Sequence, residues 1–159
     1  MKKEIERKWI CLPNDKIKEI CHKEVQNIKD YYFNPYTRLR IVNDDKYYIT
    51  IKNSGTLVRD EFEFEINPKI IDFELGYALR KQRYKFEKHI FEINVFQDIT
   101  HRPISGFTTN LIIAECELDY VDEDLIIPEF FGKEVTEERK YYGWNLFNKA
   151  MDQLNKIGL

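Results

Sequence analysis

Lys3-Glu4-Ile5-Glu6-Arg7-Lys8-Trp9-Ile10-Cys11 alternates along its length: Glu4, Glu6 and Lys8 share one parity, while Ile5, Trp9 and Cys11 share the other. Successive side chains of a strand point to opposite faces, so the stretch predicts a strand with one charged and one apolar face. The same period returns at 31–42, 46–52, 57–66, 79–86, 90–96 and 111–119. Asn34-Pro35, Asn43-Asp44-Asp45, Asn53-Ser54-Gly55 and the stretch from Arg102-Pro103 to Gly106 supply turn signals between several of them.

The polar faces are unusual in composition. Arg38 and Arg40 oppose Leu39 and Ile41; Thr50 and Lys52 oppose Ile49 and Ile51. Arg59, Glu61, Glu63 and Glu65 oppose Val58, Phe62, Phe64 and Ile66, and Lys81, Arg83 and Lys85 oppose Tyr84 and Phe86. Glu92 and Asn94 oppose Phe91, Ile93 and Val95; Glu115, Glu117 and Asp119 oppose Ile112, Ala114, Cys116 and Leu118. An ordinary solvent face mixes Ser, Thr, Gln and Asn with charges. Here it is almost only Arg, Lys and Glu, with cations on the middle strands and Glu4, Glu6, Glu115 and Glu117 on the outermost. A sheet that curls into a barrel would gather these faces inside a water-filled tunnel with a cationic and an anionic part.

Three segments carry helical spacing. They are 14–25 from an Asn14 cap, 68–78 from Pro68, and 137–157 with Trp144, Phe147, Met151 and Leu154 as one stripe. Strands and helices together predict an α+β fold with a large antiparallel sheet, its apolar outer face covered by the helices.

Composition bounds the rest. The 159 residues suit one domain, 1–159, and bury enough surface to fold without a disulfide or metal staple. Apolar residues make up 43% and aromatic ones 14%, which excludes disorder. The 25 Lys and Arg nearly cancel the 28 Asp and Glu, a balance unsuited to a nucleic-acid binder. No apolar run is long enough for a bilayer, and the Met1-Lys2-Lys3-Glu4 start lacks a signal-peptide core. Cys11, Cys21 and Cys116 form an odd, unclustered set that reads as free thiols in a reducing compartment. His22, His89 and His101 are too few and too scattered for a histidine-rich zinc site. A soluble cytoplasmic protein is expected, of undetermined oligomeric state.

A tunnel of this kind suits a phosphate chain with a divalent metal. Arg and Lys neutralise and orient phosphate oxygens, and Glu carboxylates are hard ligands for Mg²⁺ or Mn²⁺. Walker A, GxSxG and HExxH motifs are all missing, so the commoner nucleotide and hydrolase frameworks lack support.

The ordered series resembles a known family. Glu4-Ile5-Glu6-Arg7-Lys8 has the ExExK form of the CYTH superfamily, the triphosphate tunnel metalloenzymes. Arg38 and Arg40 match RxR, Thr50 and Lys52 TxK, Arg59, Glu61 and Glu63 RxExE, Lys81 and Arg83 KxR, and Glu115 and Glu117 ExE. Gly132-Lys133-Glu134-Val135-Thr136 followed by Tyr141 is similar to the C-terminal GxEVT…Y segment. The resemblance implies an eight-stranded antiparallel β-barrel enclosing a charged tunnel, with helices packed outside. It implies metal ligation by Glu6, Glu115 and Glu117, with Glu4 near them, and Glu4 and Glu63 are counted with the metal-ligating set. Lys8, Arg38, Arg40, Lys52, Arg59, Lys81 and Arg83 become the phosphate-binding set, and Lys8, Glu4 and Glu6 the catalytic one.

Two departures stand out: the family acid in Phe91-Glu92-Ile93-Asn94-Val95-Phe96 is Asn94, and the loop before Arg38 is short. Both favour a small linear substrate. The expectation is a divalent-metal-dependent triphosphatase splitting tripolyphosphate, with nucleoside or thiamine triphosphate as further substrates. The alternatives are an adenylyl cyclase of the class IV type, and a non-catalytic polyphosphate-binding module.

Overall fold

The computed structural model describes residues 2–12, 17–20, 23–86, 91–97, 99 and 111–156. Its strands are β1 (Lys2–Cys11), β2 (Lys23–Asn34), β3 (Thr37–Val42), β4 (Lys46–Lys52), β5 (Val58–Ile66), β6 (Leu79–Phe86), β7 (Phe91–Phe96), β8 (Ile112–Leu118) and β9 (Phe131–Glu134). The helices are α1 (Ile17–Ile20) and α2 (Gly143–Lys156), with 3₁₀ turns at Pro68–Ile70 and Arg139–Tyr141.

Every strand pairing is antiparallel, in the order β5-β4-β3-β2-β6-β7-β8-β1-β9. A further pairing of β5 with β1, from Lys2↔Glu61 to Ile5↔Val58, closes eight of the nine strands into a ring. Closure removes the sheet's open edges, and β9 extends β1 beyond the point where β5 leaves it. The hairpins are local. Asn43 and Asp44 take φ of 52° and 56°, left-handed values that these short polar residues tolerate, in the β3–β4 turn. Asn34 Oδ1 accepts from the Tyr36 amide at 2.8 Å in the β2–β3 turn.

Two apolar clusters hold the ring. Trp9, Cys11, Tyr84, Phe91, Ile93, Ala114, Cys116 and Phe131 pack together, with Ile17 of α1 among them. These strand residues have the parity opposite to the charged set, so this cluster lies on the outer wall. The second cluster joins Leu79, Phe96 and Ile113 to Leu146, Ala150 and Leu154 of α2. Those strand residues share the charged parity. The lumen face therefore turns apolar at one end of the ring, and α2 packs there.

Two expected helices differ from their expected extents: of 14–25 the described residues keep α1, Ile17–Ile20. Residues 23–25 of the 14–25 segment belong to β2, because the ladder to β6 begins at Lys23↔Lys85; residues 13–16 and 21–22 lie outside the described residues. The 68–78 segment keeps only the turn Pro68–Ile70. Ile70 and Phe73 are 61% and 54% exposed, so no packing offsets the cost of nucleating so short a helix. The third helix begins at Gly143 rather than 137, since the residues before it are used to cross the barrel mouth. The outer face of β4 and β5 consequently exposes Ile51, Val58, Phe62 and Phe64. Among the described residues no helix is long and apolar enough to cross a membrane. Cys11 and Cys116 are buried and neither is in a disulfide; Cys21, His22, His89 and His101 lie outside the described residues.

Candidate active site

The ring encloses a cavity of about 510 Å³. Glu4, Glu6, Lys8, Arg38, Arg40, Lys52, Arg59, Glu61, Glu63, Lys81, Arg83, Glu115 and Glu117 all line it. Alternation brings these side chains into one lumen, with Glu92 beside them; Glu65, Lys85, Asn94 and Asp119, expected on the same faces, do not line it. Arg40, Arg59, Lys81 and Arg83 are no more than 9% exposed, and burial of charge on this scale requires compensation.

Around β1 the compensation is reciprocal. Lys8 Nζ lies 2.7 Å from both Glu6 Oε1 and Glu115 Oε1. Arg59 donates from Nε to Glu4 Oε2 at 2.5 Å and from Nη2 to Glu6 Oε1 at 2.8 Å. Lys52 Nζ reaches Glu4 Oε2 at 3.1 Å and Glu61 Oε2 at 2.6 Å. Glu117 pairs with Lys2 at the edge. Burial alone would push the Glu4 and Glu115 carboxyls up. Lys52 and Arg59 outweigh it at Glu4, and Lys8, Lys81 and Arg83 hold Glu115 well below the usual range.

The RxR strand is compensated differently. Arg40 donates from Nε and Nη2 to the two oxygens of Asp30 at 2.8 and 2.9 Å, and Arg38 Nη1 stands 3.6 Å from Asp30 Oδ2. Asp30 is 1% exposed, and against the effect of burial Arg40 and Arg38 hold its carboxyl far below the ordinary value. The alternating stretch 31–42 begins one residue after Asp30 and so does not include it. The hairpin turn at Asn34-Pro35, counted back in register, sets it opposite Arg40. Arg38 Nε donates to Thr50 Oγ1 at 3.4 Å, and Thr50 Oγ1 to Glu63 Oε2 at 2.6 Å. Glu63 is thus tied to Thr50, while Glu61 joins Glu4 through Lys52.

Arg83 is gripped by Glu92 at 2.7 Å and Glu115 at 3.3 Å, and donates from Nε to Asn94 Oδ1 at 2.9 Å. Asn94 is fully buried and directs Arg83 without neutralising it. Lys81 stands apart. It is 5% exposed, lies 5.6 Å from the Phe96 ring, and among the described residues has no carboxylate within ion-pair distance. Burial, then Arg83 and Arg40, push its ammonium well below the usual lysine value. Burial, Arg38 and Arg59 lower Lys52 likewise.

A strap closes the mouth. Val135 N donates to Lys8 O at 2.8 Å, Lys8 N to Thr136 Oγ1 at 3.1 Å, and Tyr142 Oη to Thr136 O at 2.8 Å. The Tyr142 ring lies 5.3 Å from Lys8 Nζ and 5.8 Å from Arg59 Cζ. At the next residue, a Cβ on Gly143 would come 1.9 Å from Tyr32 Oη, so a larger residue would force the Tyr32 ring or the strap to move. Strands β1 and β2 are opposite in the ring, so Tyr142-Gly143 spans the mouth from wall to wall. The sequence singled out Tyr141; its neighbour Tyr142 makes these contacts.

The donors suit a hard divalent cation. Glu6 stands directly opposite Glu117, and Glu4, Glu61 and Glu115 line the same lumen. Glu61 Oε2 is buried and meets Lys52 Nζ at 2.6 Å as an ion pair without hydrogen-bond geometry. Among the described residues no three acidic, His or Cys side chains converge on one point, because Lys8 and Arg59 stand between the carboxylates. A cation there would take over the neutralising role these two now play.

No protein-family model matches the chain. An inorganic triphosphatase of Acetivibrio thermocellus is 34% identical over 157 residues, covering 92% of this chain and 94% of that protein. An inorganic triphosphatase of Nitrosomonas europaea is 31% identical over 109 residues, covering 60% of this chain and 64% of that protein. The crystal structure of the inorganic triphosphatase NE1496 shares the fold, with a TM-score of 0.55 at 23% identity over 92% of this chain and 95% of its own. A closed ring, a lumen of sorted charge and a full-length relative agree: the chain belongs to the CYTH superfamily, the triphosphate tunnel metalloenzymes.

Proposed function

We propose that this protein hydrolyses inorganic triphosphate to pyrophosphate and orthophosphate with Mg²⁺ or Mn²⁺. The observation that carries the reading is the sorting of charge in one lumen. Arg38, Arg40, Lys81 and Arg83 form a cationic wall, and the carboxylates of Glu4, Glu6, Glu115 and Glu117 gather on β1 and β8. The full-length relative named inorganic triphosphatase supports it.

Arg38, Arg40, Lys52, Lys81 and Arg83 bind and align the phosphate chain, with Arg38 and Arg83 offering planar donors. Glu6, Glu115 and Glu117, with Glu4 beside them, would hold the metal, which supplies Lewis-acid charge neutralisation and a more acidic water. Lys8 exchanges its carboxylate partners for a phosphate oxygen, while Arg59 keeps Glu4 ionised and stays paired with Glu6. Water adds to a terminal phosphorus as its bridging P–O bond breaks; the cationic wall neutralises the charge gathering on the departing pyrophosphate. The buried cysteines Cys11 and Cys116, neither of them in a disulfide, support placing this enzyme in the reducing cytoplasm.

Purified protein with Mg²⁺ or Mn²⁺ should convert tripolyphosphate to equal amounts of pyrophosphate and orthophosphate, and lose that activity in excess chelator. Cyclic AMP as the main product from ATP would replace this reading with the cyclase. Binding of tripolyphosphate without turnover would leave a polyphosphate-binding module.

A further inference from the structure

We infer that Tyr142 is a positioning residue, whose ring fixes the Lys8 ammonium and the Arg59 guanidinium before substrate arrives. Both cations lie within the roughly 6 Å over which an aromatic face attracts positive charge. The hydroxyl does not compete for them, because it donates to Thr136 O at 2.8 Å. Thr136 is in turn bonded to the Lys8 amide, and Val135 N to the Lys8 carbonyl. One short segment thus grips the backbone of Lys8 on both sides and covers its ammonium.

The geometry leaves Lys8 little freedom. Glu6 and Glu115 hold Nζ on the wall side, and the Tyr142 ring meets it from the mouth. A lysine stem is otherwise mobile, and fixing it in advance removes an ordering cost from the bound state. The ring also displaces water, which strengthens the attraction among Lys8, Arg59 and their carboxylates. Gly143 permits this placement, since a larger residue would collide with Tyr32 and force its ring or the strap to move.

The inference rests on the triphosphatase reading for its effect on turnover, and on geometry alone for its effect on Lys8. Y142F keeps the ring; Y142L removes it at similar bulk. In protein carrying ¹³C-labelled lysine, the Lys8 ε-methylene protons, assigned with K8R, should be shifted upfield by the ring current. The shift should persist in Y142F and vanish in Y142L. With tripolyphosphate and Mg²⁺, Y142L should lose about tenfold in kcat, with KM changed less, and Y142F should stay within about twofold of wild type. Thermal midpoints should match in the two variants to within a few degrees. A Lys8 signal without ring-current shift, or Y142L with wild-type kcat, overturns the inference. A wild type that shows the shift but does not cleave tripolyphosphate removes the proposed activity and leaves the role of Tyr142 standing.

Discussion

Glu6 and Glu117 face each other directly across the β1–β8 ladder, two like charges in register inside a closed barrel. Like charges so placed weaken a sheet by up to about 1 kcal/mol. Glu6 is relieved by Lys8 and Arg59, but among the described residues Glu117 has only Lys2, whose side chain is 68% exposed and contributes little. A divalent cation between the two strands would convert this repulsion into binding energy. Mn²⁺ at about a hundredfold its dissociation constant should raise the thermal midpoint by roughly 5–10 °C. Glu117→Gln should raise the metal-free midpoint slightly and lose most of that shift. An equal Mn²⁺ shift in both proteins would remove Glu117 from the metal set.

Arginines that look equivalent in the sequence differ in what they leave behind. Arg40→Ala would strand Asp30, buried and deprived of both its short contacts, at a cost of about 3–5 kcal/mol. Arg83→Ala leaves Glu115 its contact with Lys8 and leaves Glu92 partly exposed. Denaturant titration should show Arg40→Ala far less stable than Arg83→Ala, whereas both lose most turnover. Similar midpoints for the two would show that Asp30 finds another partner.

Asp30 also sets an acid limb. Its folded pKa is depressed, so the unfolded chain takes up the proton first and the stabilisation is complete only above about pH 4, the unfolded value. As pH falls from there toward the depressed folded value, the contribution is lost. Glu115, lowered in the same direction, adds to the slope. Urea midpoints between pH 5 and pH 2 should drop steeply in the wild type and less steeply in Asp30→Asn. Parallel slopes would assign the acid limb to other carboxylates.

The ring was legible because the pattern is local: a period of two marks each strand, and turn residues such as Asn43-Asp44 mark the hairpins. β4 and β6 occupy the ranges that alternation gave, 46–52 and 79–86. What failed depends on distant partners. Ile17, Ile20, Cys21 and Val25 fit helical spacing, yet pairing of Lys23 with Lys85 draws the chain into β2. Short β9 carries too little alternation to stand out, and exists because β1 has an edge free beyond β5. In the site, alternation marks the charged residues on strands, Glu92 among them, and the segment 132–136 includes Thr136. Neither gives their supporting contacts, and Asp30 and Tyr142 carry no mark at all. Asp30, Glu92, Thr136 and Tyr142 act through cross-strand or cross-mouth contacts that no spacing within one segment reveals.

Lys81 carries the clearest expectation for binding. With no carboxylate at ion-pair distance among the described residues, burial and the nearby Arg83 and Arg40 all favour its neutral form. A lysine lowered in the folded state binds fewer protons than in the unfolded chain, so between its folded value and about 10.4 stability should rise with pH. Lys81→Met should flatten that rise and be more stable than wild type near neutrality. A polyphosphate reverses the balance, because its negative charge favours the ammonium. Binding should therefore draw in protons, by a fraction of one per site for Lys81, and weaken as pH increases. Calorimetric titration of wild type and Lys81→Met with tripolyphosphate, in two buffers of different ionisation enthalpy, measures that uptake. Lys52, lowered in the same direction, should leave a residual uptake in the variant. Equal uptake by the two proteins would mean that Lys81 is already charged in the empty tunnel.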